Sequence, residues 1–212
     1  MHMLFIPSIP VFIFAALILN LSPGPDMIYV ATRSASQGLR GGVISAAGIF
    51  SGCLVHITLA IFGLSIILQK SAMAFRMIKY GGAAYLIYLG VASIIRNKEI
   101  PGFTGVGKNI KISRLYFQSV MTNVLNPKVA VFFLAFLPQF VHPEGGNIRM
   151  QILGLGLYFD IQGTLILLLL AVLTSRLGNK LLRNPRALRP VRRISGSILI
   201  ALGIRLALLN NK

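Results

Sequence analysis

Six long apolar stretches run along the chain, separated by short basic segments. They fall at 4–33, 41–68, 73–95, 115–140, 148–173 and 191–209. Each has the roughly twenty mostly apolar residues that a helix needs to cross a bilayer, and each is predicted to do so. The first, second and fourth exceed a straight crossing, which predicts tilt, a kink or interfacial ends. Two stretches contain helix breakers. Span one carries Asn20-Leu21-Ser22-Pro23-Gly24-Pro25-Asp26, and span four carries Asn126-Pro127-Lys128. A backbone group freed inside lipid must find a partner, so such breaks persist only where protein or a water-lined cavity covers them. Paired breaks in corresponding spans point to a transporter's binding site.

The two halves match at a fixed offset. Adding 104 takes Leu21 to Leu125, Pro23 to Pro127, Gly52 to Gly156 and His56 to Asp160. Spans three and six match at 113, where Leu86-Ile87-x-Leu89-Gly90 meets Leu199-Ile200-x-Leu202-Gly203. Three spans per half is an odd number, so the second half enters the membrane from the opposite side. The expected fold is an all-α membrane protein of six transmembrane helices, built as two inverted three-helix repeats. The repeats cover about 4–95 and 115–209 of a single transporter domain, and a Gly-, Asn- and Lys-rich connector spans 96–114.

Composition agrees with the spans. Of 212 residues, 55% are hydrophobic and 12% charged, about half the charge of a soluble domain. Mean hydropathy is +0.78. A net charge of +17 would suit a nucleic-acid partner if it formed one face. Here the basic residues sit in short loops, so the bilayer is the expected partner and nucleic acid is not. Loops 31–42, 96–114 and 174–193 hold fourteen Lys and Arg, against six on the other side. The positive-inside rule places those loops in the cytoplasm and both termini outside. Segment 184–193, with two prolines and four arginines, is expected at the headgroup surface. The N-terminus shows no basic n-region or small-residue cleavage site, so the first stretch is expected to be retained as a span.

Three motifs occur in a telling order. They are Ser22-Pro23-Gly24-Pro25-Asp26 in span one, Tyr85-Leu86-Ile87-Tyr88-Leu89-Gly90 in span three, and Asn123-x-x-Asn126-Pro127-Lys128 in span four. With them the chain resembles the LysE/RhtB amino-acid exporter family over nearly its whole length. The resemblance implies efflux of amino acids or close derivatives across a bacterial inner membrane, driven by the proton motive force. Its partners would be protons and a small amino-acid-like molecule, with both termini periplasmic.

Candidate chemistry is sparse. Glu99 and Glu144 lie in loops, whereas Asp26 and Asp160 fall within spans. An intramembrane charge costs about 2.5–3.5 kcal/mol on insertion scales, which marks both as candidates for substrate or proton binding. If a half-helix begins at Gly24, Pro25 takes its first position and Asp26 its first turn, where the dipole favours a carboxylate. Capping and ligand roles are then both open to Asp26. Asp160 has no cap to justify it. His56 is its repeat partner and titrates near neutrality; a hydrogen-bonded packing role is equally open. Lys128 sits beside a helix N-terminus, where the dipole disfavours it. An ion pair with Asp26 or Asp160 would offset that, and snorkelling to an interface is the alternative. Asn126 and the breaks at Pro23, Gly24, Pro25 and Pro127 offer polar groups to the same region. Gln162 completes the set, although it lies about 200° round the helix from Asp160.

No motif calls for a cofactor. The three histidines and Cys53 show no metal-ligand spacing, and Cys53 reads as a small buried hydrophobe. Neither His-Glu-x-x-His nor Gly-x-Ser-x-Gly occurs, so no enzyme is expected. Gly48-x-x-x-Gly52 permits close packing within the chain or between copies, which admits a homo-oligomer. Competing readings are a membrane scaffold or assembly protein without transport, and export of another small cation.

Overall fold

The computed structural model describes residues 9–64, 72–95, 110–177 and 185–208. The start of span one, the end of span two, most of the 96–114 connector and segment 178–184 lie outside them. Every described element is helical. In chain order they are α1 (Ile9–Leu21), α2 (Pro25–Leu59), α3 (Ala72–Ile95), α4 (Ile112–Val124), α5 (Pro127–Val131), α6 (Ile148–Leu177) and α7 (Pro185–Leu208). A π turn, Ala60–Leu64, extends α2, and a π turn Phe132–Phe136 with a 3-10 turn Leu137–Phe140 extends α5. Pro25–Gly63, Arg76–Ile95 and Ile148–Arg176 are long and apolar enough to cross a membrane. The α4–α5 pair, bent by 43° at its break, makes a fourth if it is one span. Ile9–Leu21 and Gly196–Leu208 are shorter apolar helices. Phe14, Leu59, Phe62, Met77, Leu165 and Leu169 stand exposed on the outside, as a lipid solvent permits.

The loop expected over 31–42 is absent. Helix continues on both sides of a single non-helical residue, Gly38, with φ +68° and ψ −170°. A side chain is strained in that left-handed region, so glycine is the natural occupant. A straight α2 would hold Asp26 about 45 Å from His56. Instead the two are electrostatic neighbours, Asp26 shares a cavity with Ile49 and Cys53, and a side chain at Gly42 would overlap Ser34. The arms 25–37 and 39–59 therefore fold back on each other. Residues 32–37 look loop-like because Thr, Ser and Gln interrupt the apolar period. The Ser36 hydroxyl turns back to its own helix, donating to the Thr32 carbonyl at 2.9 Å.

Small residues then let the helices close up. A Cβ added at Gly48 would meet Ser119 Cβ at 2.5 Å and the Tyr116 carbonyl at 2.6 Å, and one at Gly52 would meet Asn123 Cβ and the Val120 carbonyl at 2.8 Å. The Gly48-x-x-x-Gly52 stripe is thus used inside the chain, against α4. Tyr116 closes the same seam by donating to Ser51 Oγ at 2.6 Å. α3 and α7 run antiparallel with backbones in contact: Gly90 faces the Gly196 carbonyl and Gly203 faces the Ala83 carbonyl.

Gly52→Val should overpack this seam and cost about 1–3 kcal/mol, read as a lower melting temperature of the detergent-solubilised chain. Gly81 has open space around it, so Gly81→Ala should be neutral or raise stability by up to about 1 kcal/mol.

Candidate functional site

Proline has no N–H, so the carbonyl four residues earlier loses its helical donor. In the first break the carbonyl is that of Leu19, opposite Pro23. In the second it is that of Asn123, opposite Pro127. Both residues are buried, and each carbonyl is satisfied from a distant element. Lys128 Nζ donates to Leu19 O at 3.0 Å, and His56 Nε2 donates to Asn123 O at 3.0 Å. A carbonyl only accepts, so Nε2 carries the proton in His56. The residue three positions on also helps: Ser22 N donates to Leu19 O at 3.1 Å, and Asn126 N to Asn123 O at 2.9 Å. The two carbonyls and their local donors match at the 104-residue offset; the distant donors do not, since the offset pairs Lys128 with Gly24 and His56 with Asp160.

Lys128 makes a second bond, to the Ser22 carbonyl at 2.9 Å. Both acceptors lie at the C-terminal end of α1, the negative end of its dipole. The lysine that suits its own helix start poorly is thus held by the end of another helix. The ion pair expected from sequence is replaced by these carbonyls, with Asp26 felt as a nearby charge. Gly24 makes room for the ammonium, since a Cβ there would lie 3.1 Å from Nζ.

Asp26 takes the place anticipated for it. α2 starts at Pro25, Gly24 is its N-cap without a side-chain bond, and Asp26 lies in the first turn. Its Oδ2 accepts from Asn123 Nδ2 and Asn126 Nδ2, each at 2.9 Å. Asn126 in turn caps α5, its Oδ1 accepting from Lys128 N at 3.0 Å. Asp26 Oδ1 has no protein partner.

These groups border a small cavity of about 30 Å³, measured to the centres of water-sized spheres, which is room for about two waters. Its lining comes from α1, both arms of α2, α4, α5 and α6, and includes Asn20, Asp26, Cys53, Asn123, Lys128, Asp160 and Thr164. Asp160 is 4% exposed. Cys53 stands beside it in the lining, while Asp160 Oδ2 has no protein partner. Thr164, one turn along α6, has an unpartnered hydroxyl as well. Phe159 backs the cavity and stacks on Phe132 at 4.1 Å.

Asp26, Asp160 and Lys128 are thus brought together, and Asn126 supports them. His56 is not in the lining; it lies behind Asn123, stacked on Phe133 at 5.9 Å. Gln162 is also outside it, accepting from Asn20 Nδ2 at 3.3 Å and donating to the Tyr158 hydroxyl at 3.0 Å. Sequence reasoning missed Asn20, Cys53 and Thr164 as lining residues and Asn123 as an Asp26 ligand. Thr164 had a signal, its four-residue spacing from Asp160. Cys53 had none, since its partner is on another helix. Among the described residues no group of three or more His, Cys, Asp or Glu converges to hold a metal.

The family model for LysE type translocators matches residues 17–210. The chain belongs to the LysE type translocator family. It is 31% identical over 196 residues to the homoserine/homoserine lactone efflux protein of Salmonella typhimurium, covering 92% of this chain and 94% of that protein. It is 31% identical over 209 residues to the uncharacterized membrane protein YrhP of Bacillus subtilis, covering 95% and 99%. A leucine efflux protein of Salmonella choleraesuis is 26% identical over 130 residues, 61% of each chain. No solved structure matches.

His56→Leu should leave the Asn123 carbonyl with only its local donor, Asn126 N, and cost about 0.5–1.5 kcal/mol. His56→Gln retains an N–H and should lose less; the two melting temperatures in detergent make the comparison.

Proposed function

We propose that this LysE type translocator exports amino acids or close derivatives across a bacterial inner membrane by proton antiport. The names of its relatives, one pairing homoserine with its lactone and one naming leucine, support that substrate range. The observation that carries the reading is Asp160: a buried carboxylate with one free oxygen, facing a cavity where two broken helices meet.

The working fold is two inverted repeats of three spans, with both termini periplasmic. α1 and the first arm of α2 form one broken span, α4 and α5 the other. The second arm of α2, then α3, α6 and α7, complete six. The α3–α7 contacts support the inversion. Shifting by 113 converts Gly90 against Gly196 into Gly203 against Ala83, and both contacts occur. Such reciprocity is the mark of a two-fold axis, and for an antiparallel pair that axis is perpendicular to the helices.

Asp160 holds either a proton or the substrate's ammonium, and Asp26 adds a second carboxylate beside it. Arrival of one releases the other, so exchange at a shared group yields antiport. The cavity is far too small for an amino acid, so loading separates the two broken spans toward one side at a time, as alternating access requires. Lys128, Asn126 and His56 maintain the broken backbone through that motion.

The full chain in vesicles preloaded with labelled amino acids should release its substrate severalfold faster when protons are driven inward. Release indifferent to the gradient would refute antiport. Asp160→Asn should keep the wild-type melting temperature and lose the gradient response; a coupled Asp160→Asn protein would remove Asp160 from the mechanism.

A further inference from the structure

The donors and acceptors around the cavity are out of balance. Three buried acceptor oxygens lack a protein donor: Asp26 Oδ1, Asn123 Oδ1 and Asp160 Oδ2. The donors are almost all engaged. Asn123 Nδ2 and Asn126 Nδ2 both go to Asp26. Asn20 Nδ2 goes to the Phe159 carbonyl at 3.1 Å and to Gln162. The Cys53 thiol, a weak donor, sits beside Asp160 in the lining. Lys128 has given two of its three N–H groups to Leu19 and Ser22. What remains is one N–H on Lys128 and the Thr164 hydroxyl.

The helix starts do not restore the balance. α5 is capped by Asn126. α2 has no side-chain cap, but Asp26 sits in its first turn, and a fixed negative charge there repels a second carboxylate. Charge points the same way. With Asp26, Asp160 and Lys128 ionised, the lining carries one net negative charge. A monocation neutralises it and a zwitterion does not. An ammonium, with three donors and no acceptor, also matches three unpartnered oxygens.

We infer that the cavity recognises its substrate through the ammonium and has no dedicated site for the carboxylate. Primary amines whose carboxyl is masked, as lactone, ester or amide, are then bound as well as the free amino acids. This rests on the cavity's being the substrate site, and it places the specificity at Asp160, Asp26 and Asn123 rather than at Lys128.

The test is a thermal-shift titration of the full chain in detergent with the twenty common L-amino acids, their methyl esters and their N-acetyl derivatives. For each free acid that stabilises the protein, the methyl ester should bind within about threefold. The N-acetyl derivative, which loses the charged donor, should bind about tenfold or more weaker. Free acids that bind while their esters fail would overturn the inference and leave the exporter reading intact. N-acetyl derivatives that bind as well as free acids would overturn it too. No stabilisation by any compound would bring down the substrate site itself, and the inference with it.

Discussion

A carbonyl stranded inside a membrane cannot turn to water for its missing hydrogen bond. Pro23 and Pro127 strand two of them, on Leu19 and Asn123, and much of the central architecture follows from how they are rescued. Lys128 crosses from α5 to the end of α1, and His56 crosses from the second arm of α2 to the end of α4. Each rescue ties a broken helix to an element far away in sequence. The Asn123 and Asn126 amides then fasten Asp26 to the second break. Four broken ends become one polar knot, and the cavity is the space left at its edge.

That arrangement explains how buried charge is tolerated here. Lys128 is neither snorkelling nor neutralised by a single salt bridge. It sits on two backbone carbonyls at the negative end of a helix dipole, where a cation is favoured. Asp26 gains from the opposite end of a dipole and from two amide donors. Each charge meets oriented dipoles that were freed by the breaks, so the breaks and the charges stabilise each other.

Much of this was legible from residue order. Proline in an apolar run announces a break, the 104-residue offset pairs the breaks, and Pro25 marks a helix start that places Asp26 in its first turn. Asp160 stood out because an apolar span gave it no cap. What escaped was the identity of the partners. Charge rules direct Lys128 toward carboxylates, because side chains are what a sequence displays. The stranded backbone carbonyls are implied only by counting four residues back from each proline. Cys53 hid for a simpler reason, having apolar neighbours in sequence and Asp160 as a neighbour in space. The 31–42 segment hid because its polar residues suggested a loop, whereas a single left-handed glycine reverses the chain without one.

That reversal at Gly38 bears on how the protein handles what enters it. Two helices joined by a flexible loop can slide, splay or change register. Two arms joined through one residue, with Ser34 lodged against Gly42, cannot do so without breaking helix. Asp26 near the foot of one arm and Cys53 near the foot of the other are therefore held as on the tines of a fork. In the transport cycle proposed above, this fork keeps one dimension of the cavity constant while the elements packed on it move. It would then be the ruler against which the proposed substrate is measured.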